Sequence, residues 1–161
     1  MYMSLSKEIK IVSLNSSAGS SQGTTGFVCA NVVDRSGFDS VCLIATLGTV
    51  ANTAAAVLVP NFGDTSGTMV ASSGTTSVCA GFASCTTECN NALLVLDMHE
   101  PMKRWIGASV VKGTAATAVL AVTALLYNRD NYAIPYTNLV AGSSGTGAYL
   151  PCAVSWSQAT T

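Results

Sequence analysis

A single histidine occurs in the 161 residues, and it stands beside an acid in the stretch DMHEPMKRWIGASVVKG (97–113). His99 and Glu100 are residue types that serve general acid–base catalysis. Adjacency supplies neither a nucleophile nor an orienting group, and neighbouring side chains of a strand point to opposite faces. HEPMK also lacks the second histidine of the zinc-protease pattern H-E-x-x-H. The stretch therefore reads as a polar turn, with Pro101 opening the connection to a strand that begins KRWIGASVV.

Metal binding is the second chemistry to weigh. CAGFASCTTEC spaces Cys79, Cys85 and Cys89 by six and four positions, and His99 follows ten residues later. Structural zinc sites use tight C-x₂₋₄-C pairs, and only the second spacing fits. Of the six cysteines, Cys29 and Cys42 lie in the apolar contexts GFVCANVV and SVCLIATL, where cysteine behaves as a small hydrophobe. Without an export signal, reduced thiols are expected rather than a disulfide framework. The Gly-rich AGSSGTGAY (141–149) lacks the preceding strand and following helix of a phosphate cradle, and no G-x-S-x-G elbow or P-loop is present. No catalytic residue, metal or cofactor is expected, and the chain does not read as an enzyme.

The composition points elsewhere. Charged residues make up 9% of the chain and hydrophobic ones 49%, with a net charge of −1. Lone monomers use Lys, Arg, Asp and Glu to suppress association, so a surface this poor in charge implies coverage by partner subunits. The near-neutral balance carries no electrostatic footprint for nucleic acid. The most apolar run, AATAVLAVTALLY (115–127), is too short to span a bilayer and suits a buried strand. The N-terminus has no long apolar segment after a basic start, so a soluble protein made in the cytoplasm is expected.

Clusters such as DRSG, GDTSG, SSGTTS, CTTECNN and VKGTAAT punctuate runs rich in β-branched and apolar residues. Strands are expected near 27–33, 40–48, 54–62, 76–82, 91–98, 103–111 and 117–128. Many short strands with turn signals between them predict an all-β chain, a β-sandwich or jelly-roll-like domain. The Ala-rich TVANTAAAVLVPNF is ambiguous, but Pro60 suits a strand edge or bulge better than a helix interior. This domain is assigned to residues 26–131. Residues 1–25 read as an extended N-terminal arm, beginning with the alternating piece KEIKIVSL, and residues 132–161 as an extended C-terminal tail. Tyr132, Tyr136, Tyr149 and Trp156 in that tail are candidate interface anchors. Phe38, Trp105 and Ile106 are expected in or near the core.

Two stretches carry a resemblance to a known group. DRSGFDSVCLIATLGTV (34–50) and KRWIGASVVKGTAATAVLAVTALLYNRDN (103–131) resemble the capsid decoration, or cement, proteins of tailed bacteriophages. The first matches an Asp–small–Gly–aromatic–Asp–Ser opening followed by an apolar strand. The second matches a Lys-Arg-aromatic strand, a small-residue hairpin and a long Ala/Val strand. The middle, VLVPNFGDTSGTMVASSGTTSVCAGF (57–82), departs from the pattern by replacing a more charged, Trp-bearing stretch. The resemblance implies a β-sandwich that assembles, often as a homotrimer, on the outer capsid surface of the virion and bridges neighbouring copies of the major capsid protein. Asp34, Arg35, Lys103 and Arg104 are then candidates for polar interface contacts at turns. The rival readings are another virion part, such as a head fibre base or tail protein, or a carbohydrate-binding β-sandwich.

Overall fold

Alternating apolar and polar residues form ten strands in a computed structural model that describes residues 9–15, 25–71, 79–85 and 89–129. In chain order these are β1 (Lys10–Ser13), β2 (Phe27–Val28), β3 (Val33–Asp34), β4 (Phe38–Val50), β5 (Ala54–Gly63), β6 (Val70–Ala71), β7 (Ala80–Cys85), β8 (Leu93–His99), β9 (Trp105–Lys112) and β10 (Thr117–Arg129). No α-helix occurs among the described residues, so none there is long and apolar enough to cross a membrane.

All strand pairs are antiparallel, and they form two sheets. The first runs β1-β10-β4-β8. In the second, β9 lies between β5 and the short strands β2 and β3, and β5 is flanked on its far side by β6 and β7. The protein is an all-β, sandwich-like domain. Val41, Leu43, Ala45 and Leu47 of β4 and Val122, Ala124 and Leu126 of β10 point inward from one sheet. Ala56 and Leu58 of β5 and Ile106, Ala108 and Val110 of β9 point inward from the other. Burial of each larger aliphatic side chain stabilises the fold by about 1.5–3 kcal/mol.

Four details differ from the sequence reading. Residues 10–13, assigned to the arm, are strand β1, and Val12 and Leu14 are buried, because the alternation of KEIKIVSL fits the free edge of β10. The strand expected over 27–33 splits into β2 and β3. Between them the Cys29 amide donates to the Ala108 carbonyl of one sheet, and the Asn31 amide donates to the Leu14 carbonyl beside the other. Phe38 and Ile106 are buried, but pleating turns Trp105, the neighbour of Ile106, to the opposite face, where it is half-buried. Cys89 is disulfide-bonded, whereas Cys29, Cys42 and Cys79 are free thiols. The thiol expectation was an argument about compartment, which does not predict which sulfurs the fold brings together.

Candidate functional site

Charge gathers at one end of the sandwich. Three connections meet there: β3 to β4, β5 to β6, and β8 to β9, beside the point where β10 ends opposite Phe38. Of the charged side chains that are described, only Lys112 lies at the other end.

The β3–β4 turn is built around Asp34. Its Oδ1 accepts from the Ser36 amide at 2.9 Å, and Gly37 takes φ 84°, which a Cβ would disfavour. The Phe38 amide donates to the Arg35 carbonyl at 2.8 Å and closes the turn. Arg35 then ties this turn to the β8–β9 connection. Its Nε donates to the Lys103 carbonyl at 2.9 Å, its Nη1 to the Phe38 carbonyl at 3.1 Å, and its amide to the Arg104 carbonyl at 3.0 Å.

Arg104 reaches back to Asp34 with two prongs, Nε to Oδ1 at 2.9 Å and Nη2 to Oδ2 at 2.6 Å. Its guanidinium also lies 5.7 Å from the centroid of the Trp105 ring. Partial burial raises the Asp34 pKa, but the Arg104 hydrogen bonds, the Ser36 amide and the charges of Arg104 and Lys10 outweigh it and hold the carboxyl below its ordinary value. Lys103 Nζ pairs with Asp64 of the β5–β6 connection at 2.7 Å. All four residues singled out for polar contacts, Asp34, Arg35, Lys103 and Arg104, thus converge on one surface, mostly by bonding to each other. Tyr132, Tyr136, Tyr149 and Trp156 lie outside the described residues.

A row of polar side chains crosses the outer face of the first sheet at this end. Register places Tyr127, Ser40 and His99 side by side on β10, β4 and β8. His99 Nδ1 lies 2.9 Å from Ser40 Oγ, and its Nε2 is 3.6 Å from Glu100 Oε1. The Tyr127 hydroxyl donates to Asp97 Oδ1 at 2.6 Å, which raises the phenol pKa. Serine, histidine and an acid in sequence invite comparison with a hydrolase triad. Ser40 is 1% exposed, however, so a substrate carbon cannot approach its hydroxyl, and the contact orients the imidazole instead. Glu100 takes φ 47°, unusual for a non-glycine residue, and its amide donates to the Asp39 carbonyl at 2.7 Å. That bond holds the β8–β9 turn against the start of β4.

Beside the row lies a concavity of about 540 Å³, walled by Phe62, Met98, Pro101 and Met102 and bordered by the polar Asp97, His99, Glu100 and Lys103. Its lining is mainly apolar. Met102 stands at its rim with 95% of its surface exposed.

Ser40, Asp64, Asp97, Tyr127 and the concavity were not visible in the sequence. Each is a partner across strands or turns, and such pairing needs the register, which no local motif carries. Of the set Cys79, Cys85, Cys89 and His99 weighed for metal, Cys89 has its sulfur in a disulfide and so is not a free thiolate ligand. Burial pushes the Cys29 thiol up to about 12, so it stays protonated and unreactive.

No family model matches the sequence, and no curated protein matches it either. Among solved structures, a chain in the structure of infectious bursal disease virus strain Gx is similar in fold, with a TM-score of 0.50 and 12% identity over 77% of this chain. A chain in the structure of strain Gt of the same virus aligns at a TM-score of 0.49, again with 12% identity and 77% coverage. The protein spans 33% of the first virus chain and 34% of the second. At this identity the likeness is one of fold: the β-sandwich is similar to part of a chain found in a virus structure.

Proposed function

We propose that the protein is a structural component of a virion that decorates and stabilises an icosahedral bacteriophage capsid. In this reading it sits on the outer surface as a homotrimer and bridges neighbouring copies of the major capsid protein. The supporting observation is how its surface is divided. Ile11, Leu93, Val95 and Leu120 are exposed on the outer face of one sheet, and Val28 and Val111 on that of the other, while the charge of the described residues, Lys112 apart, gathers toward one end. Mainly aliphatic faces suit coverage by sister subunits, and a polar, self-paired end suits a wetter contact with a shell. The fold likeness to a virus chain and the resemblance of 34–50 and 103–131 to decoration proteins point the same way. Each contact with the shell can be small, because attachment at several subunits multiplies weak interfaces.

The test is the mass of the purified protein in solution, together with the composition and image reconstruction of purified particles. A trimer present in fixed ratio to the shell protein, with density over shell subunit junctions, is the expected result. A monomer that is missing from particles overturns the proposal. Density on the tail or at a fibre base would assign the chain to another part of the virion, and glycan binding by the isolated protein would favour the adhesion reading.

A further inference from the structure

Strand β8 ends the first sheet, because the order β1-β10-β4-β8 leaves no described strand on its far side. Its backbone groups can be assigned to the two sides. The Leu47 amide donates to the Ala92 carbonyl and the Glu100 amide to the Asp39 carbonyl, so the even-numbered residues turn toward β4. The amides and carbonyls of Leu93, Val95, Asp97 and His99 therefore point away from it. Natural sheets blunt such an edge with Lys, Pro, a bulge or a covering segment. The sequence LLVLDMH contains no Lys and no Pro, its register against β4 is unbroken from Leu93 to His99, and Leu93 and Val95 expose aliphatic side chains.

The concavity at the charged end lies along this same edge. It touches Asp97, Met98 and His99 in succession. Neighbouring side chains of a strand point to opposite faces, so a recess that meets all three sits at the strand's side rather than on either face. Met98 and Phe62 reach it from the inner faces of the two sheets, opposite the buried Val41 and Ile106, so its floor continues the core. The rim is acidic. Asp97 accepts from the Tyr127 hydroxyl at 2.6 Å, Glu100 stands 3.6 Å from the imidazole of His99, and Lys103 is already paired with Asp64 at 2.7 Å. A segment that fills the recess must therefore desolvate two carboxylates unless it brings a cation to them. A second copy of β8 would bring another Asp97 and no Lys or Arg.

We infer that β8 accepts an extended segment of a partner protein as an added strand of its sheet, with a bulky apolar side chain of that segment in the recess and a Lys or Arg next to it in sequence. Alternation fixes the pattern. A residue opposite Met98 points inward against Phe62 and Met102, and its neighbour opposite Asp97 points outward to the carboxylate. Further outward residues meet Val95 and Leu93, which favours β-branched side chains there. Main-chain hydrogen bonds hold the strand, and the recess selects it. The assignment does not depend on the virion role, since it names the chemistry of the segment and not the protein that supplies it.

The test uses the full-length protein and a synthetic peptide, acetyl-Thr-Phe-Lys-Thr-Val-Thr-Val-amide, which in antiparallel register sets its Phe opposite Met98 and its Lys opposite Asp97. Amide hydrogen exchange is followed by NMR. At saturating peptide, exchange at Leu93, Val95, Asp97 and His99 is expected to slow by at least about tenfold, while Leu94, Leu96 and Met98, already bonded to β4, should not change. A peptide with Glu in place of Lys should bind at least about tenfold more weakly, and Asp97→Asn should narrow that preference. No change at the four amides with peptide up to about 1 mM, or equal binding of the two peptides, overturns the inference. Slow exchange at the four amides in the free protein means that the edge is already covered. The cover is the same chain if protection is independent of protein concentration and a second copy if it grows with it, and either result overturns the inference as well.

Discussion

The two ends of the sandwich solve the same problem with different chemistry. Both must close antiparallel strands with turns and satisfy the backbone groups that the turns leave over. At one end, guanidinium and carboxylate groups do this: Arg35 holds two carbonyls with its side chain, and Arg104 grips Asp34. At the other end the work falls to neutral amides and the backbone. Asn90 Oδ1 accepts from the Val50 amide at 2.6 Å, and the Asn52 side chain accepts from the amide of Thr53, which takes φ 63°. The Ala51 amide donates to the Ala116 carbonyl, and the Gly113 amide to that of Ala55. The contrast teaches that the chain's scarce charge is concentrated, among the described residues, at one end. A chain with few ionic groups spends nearly all that are described on one surface, which marks that surface as the one meant to stay wet.

The comparison can be broken most severely at Phe38, the largest fully buried side chain, which roots the charged end in the core. Phe38→Ala is expected to destabilise the fold by about 3–5 kcal/mol in chemical denaturation, because the cavity cannot collapse between two sheets. A sharper test sets the two kinds of clamp against each other. Arg35→Met keeps the apolar stem but removes two side-chain donors, and about 1.5–3 kcal/mol should be lost. Asn90→Ala strands the buried Val50 amide and should cost about 1–3 kcal/mol. Similar losses would show that the neutral end is as firmly closed as the charged one.

Smaller effects distinguish the ends further. Thr117 Oγ1, at the start of β10 in the neutral end, is buried without a hydrogen-bond partner. Thr117→Val should therefore raise stability, by about 1 kcal/mol, measured as a higher denaturant midpoint at unchanged slope. The Asp34–Arg104 pair should show itself mainly through pH. The Asp34 carboxyl is held below its ordinary 3.8 in the folded protein, so its contribution is complete above that value and fades as pH falls through the lower folded-state value. Asp34→Asn should flatten the acid limb of the stability profile. The change should be the smallest of the series, since the Arg104 side chain is 60% exposed and solvent screens the pair.

Much of this architecture was legible in the residues. Gly and Ser/Thr clusters marked the turns around β4, β5, β8, β9 and β10, and the observed ends fall within about two residues of the expected ones. That Asp34, Arg35, Lys103 and Arg104 lie at turns was legible too, but not that Arg104 would grip Asp34 or Arg35 the Lys103 carbonyl. Strand β1 was overlooked because four residues beside a Ser/Gly-rich stretch carry too weak a period to stand out. The disulfide at Cys89 and the contacts Tyr127–Asp97, Ser40–His99 and Lys103–Asp64 were beyond reach for another reason. They join residues 30 to 59 positions apart, or depend on which turns become neighbours, and only the completed sheet order decides that.

Pro60 carries a last consequence. On one flank β5 meets β7 through Ala54–Leu58 and β6 through Asn61–Phe62, so Val59 and Pro60 fall at the step between them, with no described strand beside them. Proline brings no N–H to that step. The ladder at Pro60 therefore lacks one donor whichever segment lies beside it, and a proline there keeps that position from extending the sheet's bonding.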